Sequence, residues 1–117
     1  MAMTTTAAGS LAEDQALGFL EARGMKLITR NFRCKMGEID LIMQHENTIV
    51  FVEVRLRQSA GYHTGAESIT SRKISRLART AEYYLLGYGP EADHECRFDV
   101  VSIGNSIDWI PDAFNLD

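Results

Sequence analysis

Four ionisable residues interrupt two of the most apolar stretches of the chain: Glu38 and Asp40 in GEIDLIMQ, and Glu53 and Arg55 in TIVFVEVRL. Successive strand side chains alternate between faces, so Glu38, Asp40 and Ile42 are expected on one face, with Ile39, Leu41 and Met43 on the other. In the second stretch Phe51, Glu53 and Arg55 share a face opposite Val50, Val52 and Val54. The polar segment HEN between the two predicts a tight hairpin in which opposed residue numbers sum to about 92 or 93. That register brings Asp40 to Glu53 and Glu38 to Arg55. Two carboxylates then meet across the ladder, where like charges repel and burial adds to the cost, unless a cation lies between them or one holds a proton. Arg55 is one available cation. Converging carboxylates are equally a hard-oxygen site for an ion such as Mg²⁺.

Each of these residues also has a structural explanation. Glu38 and Arg55 can form a cross-strand ion pair at the sheet end. Asp40 can accept backbone hydrogen bonds, although it sits mid-strand among Ile and Leu, where Asp is depleted. Glu53 interrupts VFVEV in the same way. Glu13 stands three residues after Ser10, and this S-x-x-E spacing is that of a capping box.

The elements that must position these side chains can be read from periodicity. Ser10 caps a first helix over about residues 11–23, in which Ala12, Ala16, Phe19 and Leu20 recur at helical spacing before Gly24. MKLITRNFRC is a strand, followed by the two charged strands. RQSAGYHTGAES, with Gly61 and Gly65, has no apolar period and is a loop that either closes over a ligand or merely connects. Thr70 or Ser68 caps a second helix with Ile74, Leu77, Ala78, Ala81 and Leu85 on one side and Gly87 at its end. CRFDVVSI, a GNS turn and IDWI complete the order α-β-β-β-α-β-β. Such an order predicts an α/β fold, a mixed central sheet with helices packed on it. Residues 1–9 are expected to be a flexible N-terminus and 10–117 a single domain.

Composition narrows the function classes. At 117 residues, 45% apolar and 24% charged, the chain is long enough to bury one core without staples. No apolar run has bilayer-spanning length and the start lacks a signal-peptide pattern, so no membrane role and a cytoplasmic location are expected. Cys34 and Cys96 have no CxxC partner and read as reduced strand thiols. The net charge of −4 conceals an uneven distribution: residues 1–22 carry −3, residues 23–80 carry eleven Lys/Arg against five acids, and residues 81–117 carry one base against eight acids. The basic middle can bind phosphates on an otherwise acidic protein, or can be an ordinary solvated surface. The acidic last third offers a surface to a protein partner instead. His45, His63 and His94 have no metal-ligand spacing, and no Walker or GxGxxG motif is present. No Ser/His/Asp set stands out.

The series GSLAEDQA, GMKLITRN, GEIDLI, FVEVR and RFDVV, from about Ser10 to the C-terminal PDAF, resembles the YraN family of small bacterial proteins. The resemblance implies the restriction-endonuclease-like fold of PD-(D/E)xK nucleases, whose core order α-β-β-β-α-β agrees with the one read above. By similarity to those nucleases, and to archaeal Holliday-junction resolvases, Asp40 and Glu53 would ligate Mg²⁺ or Mn²⁺, with Glu13 reaching in from the first helix. The metal would polarise a scissile phosphate and activate water, and a second metal would assist the leaving oxygen. Where the superfamily pattern has Lys, this chain has Arg55, which stays protonated and can only orient groups or stabilise negative charge. Lys73 matches a recurring family lysine at the start of the second helix and is the first candidate for a phosphate contact, followed by Arg72 and Arg76. Asp99 in RFDVV matches a family motif, and its strand alternation suggests a structural partner, Arg97 or the first strand. Phe51 and Tyr62 either stack on bases or belong to core and loop. The implied substrate is structured DNA, and a homodimer would suit a two-fold branched substrate, although no feature of the sequence specifies an oligomer.

Overall fold

In the computed structural model, residues 4–57, 69–89 and 94–114 are described, with side chains from residue 9 onward. Tyr62, Gly61, Gly65, His63 and Ser68 lie outside the described residues. Two helices and five strands follow one another as α1 (Thr4–Glu21), β1 (Lys26–Cys34), β2 (Gly37–His45), β3 (Thr48–Leu56), α2 (Ser71–Tyr88), β4 (Glu95–Ile103) and β5 (Ile107–Ile110). The strands form one mixed sheet in the order β1-β2-β3-β4-β5; only β3 and β4 run parallel, and α2 intervenes between them in the chain.

Both faces of the sheet are covered, which explains why its central strands read as nearly unbroken apolar runs. On one side Ala12, Ala16 and Leu20 of α1 pack on Leu41, Met43, Val50, Val52 and Val101. On the other, Leu77, Ala81 and Tyr84 of α2 pack on Ile39, Ile42, Phe51 and Phe98. Phe51 is 1% exposed and therefore a core ring, not a base-stacking one. Among the described residues no helix is long and apolar enough to cross a membrane.

Two expectations need correction. The first helix begins at Thr4, so Ser10 lies inside it and is not its cap; TTTAAG has no strong helix breaker before Gly9, and helical turns extend through it. Glu13 therefore loses its capping-box explanation. The second correction concerns strand alternation. The pairs Arg30↔Leu41 and Phe32↔Ile39 place Asn31 opposite Asp40, and Asn31 has a left-handed φ of 54°. Asn tolerates that conformation better than other side chains do. Across this irregularity the faces exchange: Leu41 packs with the α1 cluster, whereas Ile39 and Phe32 pack with the α2 cluster. Ile39 thus does not share a face with Leu41 and Met43. At α2 the expectation holds well: Thr70 is the N-cap, its hydroxyl accepting from Lys73 N at 3.2 Å, and Leu77 and Ala81 face inward.

Candidate functional site

The predicted hairpin register is the observed one. Leu41↔Val52, Ile42↔Phe51 and His45↔Thr48 are opposed, and Leu41↔Val52 is the last pair of this ladder. Beyond it the two strands part. Residues 37–39 of β2 stay paired to β1, and residues 53–56 of β3 stay paired to β4. Asp40 and Glu53 sit at the mouth of this fork, where the next pair of the register would fall. Asp40 Oδ2 accepts the backbone N–H of Val54 at 2.8 Å, so its carboxylate replaces the strand carbonyl that the splayed ladder no longer supplies.

One hydrogen bond does not satisfy a carboxylate held in that position. Burial, then the neighbouring Glu53 charge, with smaller contributions from Glu13 and Glu38, push Asp40 up to about 7, against the lowering effect of the Val54 N–H. Glu53 is 5% exposed. Its Oε2 lies 3.3 Å from Lys73 Nζ and 3.6 Å from Arg55 Nη1. The lysine expected to contact phosphate thus reaches the carboxylate pair itself, from the first turn of the opposing helix.

The remaining acids are held nearby. Arg30 bridges Glu13 at 3.5 Å and Asp14 at 2.8 Å. The Asn31 amide, turned with Nδ2 towards these oxygens, lies 3.2 Å from Glu13 Oε1 and 3.3 Å from Glu38 Oε2. Glu38 takes its ion pair from Arg33 on β1, at 3.0 Å, because past the fork its cross-strand neighbour is on β1 and no longer on β3. Glu13 therefore supports the site electrostatically from α1 while Arg30 and Asn31 hold its carboxylate. Asn31 was not singled out from the sequence. The available signal was an Asn in the middle of a strand, a residue type that suits a backbone reversal better than a pleat.

Gly37, Glu38, Asp40, Lys73, Arg76 and Leu77 line an open groove of about 150 Å³, enough for several waters or a phosphate. Gly37 is needed here, since its φ is +155° and a Cβ would come 3.1 Å from Thr80 Oγ1. Arg76 is tied across the groove, its Nε donating to Met36 O at 3.3 Å. Arg72 is exposed at the start of α2, outside this lining.

Among the described residues no three His, Cys, Asp or Glu side chains converge as a metal-holding group. Asp40 and Glu53 nevertheless suit a Mg²⁺-like ion. Such ions are commonly held by one or two carboxylates, with waters and substrate phosphate completing the shell. The raised Asp40 carboxyl marks a place where a positive charge would be welcome.

A family model, that of the uncharacterised protein family UPF0102, matches residues 12–103. A UPF0102 protein of Nitrosomonas europaea is 50% identical over 111 residues, covering 92% of each chain. Another, of Pseudomonas putida strain W619, is 47% identical over 115 residues, covering 93% of this chain and 94% of that protein. One of Ralstonia nicotianae is 49% identical over 116 residues, covering 95% and 88%.

Proposed function

Because the chain belongs to the uncharacterised protein family UPF0102, we propose its function from the site itself: a restriction-endonuclease-like, divalent-metal-dependent hydrolase of phosphodiester bonds in structured DNA. The observation that carries this reading is the pair Asp40 and Glu53 at an open fork in the sheet, Asp40 crowded by carboxylates and held by one backbone N–H, with the N-terminus of a cationic helix facing them. That helix has no acid in its first turn. Arg72 and Lys73 stand there against the helix macrodipole, an arrangement that weakens a helix but suits an anion brought to its end.

Asp40 and Glu53 would hold the ion, Mg²⁺ or Mn²⁺. When bound, it supplies Lewis-acid polarisation of the phosphate and activation of a water. The chain's own groups do the rest. Arg76 and the α2 N-terminus hold the phosphodiester over the carboxylates. Lys73, anchored on Glu53 Oε2, places an ammonium beside the reacting phosphate, where it stabilises the charge that develops on the non-bridging oxygens. Arg55 pairs with Glu53 from the other side. Hydrolysis adds the water oxygen to phosphorus and breaks one bridging P–O bond; the departing oxygen takes up a proton from solvent.

A second reading is a DNA-binding protein that has the fold without cleavage, favoured by the guanidinium of Arg55 where a lysine is expected. Both are tested in the same tubes. Labelled single-stranded, duplex, flap and four-way-junction DNA are incubated with the protein in Mg²⁺, Mn²⁺ or chelator, and shift and cleavage are read together. Metal-dependent cuts that vanish in Asp40→Asn support the hydrolase. A shift without cuts moves the assignment to the binding protein, and neither effect refutes both.

A further inference from the structure

We infer that the exposed side of α2, from Arg72 to Tyr83, is a track for a single DNA strand, with phosphates on its arginines and an unpaired base on Tyr83; this rests on the nucleic-acid reading of the carboxylate site. Arg72, Arg76, Arg79 and Tyr83 recur at i, i+4, i+7 and i+11, which puts them along one side of the helix, and all four are exposed. At about 1.5 Å rise per residue the row is roughly 16 Å long. Its second member, Arg76, lines the groove with Asp40 and Lys73. A strand lying on the track is therefore delivered to the proposed reaction centre.

The charge of α2 reverses that of the chain. Four cations and a single acid, Glu82, stand on this helix, in a protein of net charge −4. Arg30, Arg33, Arg57 and Arg97 are each ion-paired within the fold. No carboxylate among the described residues pairs with Arg72 or Arg79.

The row ends on an aromatic ring, Tyr83; Tyr88 lies about 140° further round the helix, on the side of Leu77, Ala81 and Tyr84. Tyr83 is 46% and Tyr88 64% exposed. Phe32 of β1 contacts both rings, with centroids 6.3 Å from Tyr83 and 5.5 Å from Tyr88. Tyr88 is also stacked on the buried Tyr84 at 6.0 Å and 18°. Tyr83, at the end of the row, is thus braced by Phe32, as a stacking platform requires. Arginines spaced along a helix and leading to a braced aromatic ring match a polyanion that carries flat apolar groups. A single strand offers both; a duplex keeps its bases stacked on one another and cannot use the tyrosine.

The test is fluorescence anisotropy in EDTA, which removes metal-dependent binding and cleavage, with a labelled oligothymidylate, an abasic strand of equal length and a blunt duplex. The wild-type protein should bind oligothymidylate roughly tenfold or more tighter than the abasic strand. Tyr83→Ala should weaken the thymidylate complex by roughly five- to a hundredfold and leave the abasic complex unchanged. Arg79→Ala should weaken both and lower the salt slope by about 0.7. The wild-type comparison needs no variant to fold, and it alone is decisive: equal affinity for the thymidylate and abasic strands overturns the track. Metal-dependent cleavage combined with that equality would sink the track and leave the hydrolase standing, whereas neither binding nor cleavage of any substrate removes both.

Discussion

Two aspartates are built into adjoining regions of one sheet, and their surroundings are opposite. Asp99 on β4 is 0% exposed and takes hydrogen bonds from Arg97 Nε at 3.0 Å, Trp109 Nε1 at 2.9 Å and Asp112 N at 2.9 Å, with Arg97 Nη2 at 3.3 Å. Its charge is paired and its oxygens are occupied, so it pins β5 and the following turn to the sheet. Asp40 on β2 has one backbone donor and three carboxylates around it. A carboxylate that is fully satisfied stabilises the fold, whereas one left short of positive charge costs stability and is useful only if something else arrives.

Substitution should separate the two most sharply. Asp99→Ala leaves Arg97 and the Trp109 N–H without their partner and should destabilise the protein by about 3–5 kcal/mol in urea denaturation. Asp40→Asn keeps an oxygen for the Val54 N–H and removes a repelled charge, so at about pH 8 it should be neutral or stabilising. Equal losses at both positions would mean that Asp40 is as structural as Asp99.

The pH dependence gives the next largest effect. In the unfolded chain Asp40 ionises near 3.8 and in the folded chain near 7. Between those values the folded protein holds a proton that the unfolded chain lacks, so stability falls as pH rises through this window. The cost is absent below about 4 and complete above about 7, and amounts to at most about 4 kcal/mol. Asp40→Asn should flatten this part of the curve. A divalent ion competes with the same proton. Thermal stabilisation by Mg²⁺ should therefore be greater at about pH 8 than at about pH 6, and should disappear in Asp40→Asn. An unchanged Mg²⁺ effect in that variant would place the ion elsewhere.

The legible parts of this molecule are the ones that depend on local pattern. Alternation and turn chemistry located the five strands, the summed register of the hairpin proved to be 93, and Thr70 capped α2 as expected. Asp40 and Glu53 stood out because a charge within an apolar run needs a reason. What could not be read depends on backbone reversal and tertiary approach. Ile39 and Leu41 pack on different faces of the sheet, beside the left-handed Asn31 of β1, and nothing in a two-residue period announces it. Lys73 meets Glu53 only because α2 crosses the fork, twenty residues further along the chain. The early start of α1 escaped because Ser10 and Glu13 have a cap's spacing by composition, while the helix simply continues upstream.

The smallest expected effect bears on which cation matters at Glu53. Lys73 Nζ approaches it from α2 at 3.3 Å and Arg55 Nη1 from β3 at 3.6 Å. If the ammonium of Lys73 stabilises charge on the phosphate, Lys73→Met should lower kcat/KM by about a hundredfold or more, comparable to loss of one charge-stabilising donor. Arg55→Lys keeps a cation beside Glu53 and should change kcat/KM by less than about tenfold, about 1.4 kcal/mol. Single-turnover cleavage of the substrate identified above measures both. A wild-type protein that binds but does not cut, together with an Arg55→Lys variant that does, would reverse the assignment: Arg55 would then be the residue that silences the site, and Lys73 only its neutralising partner.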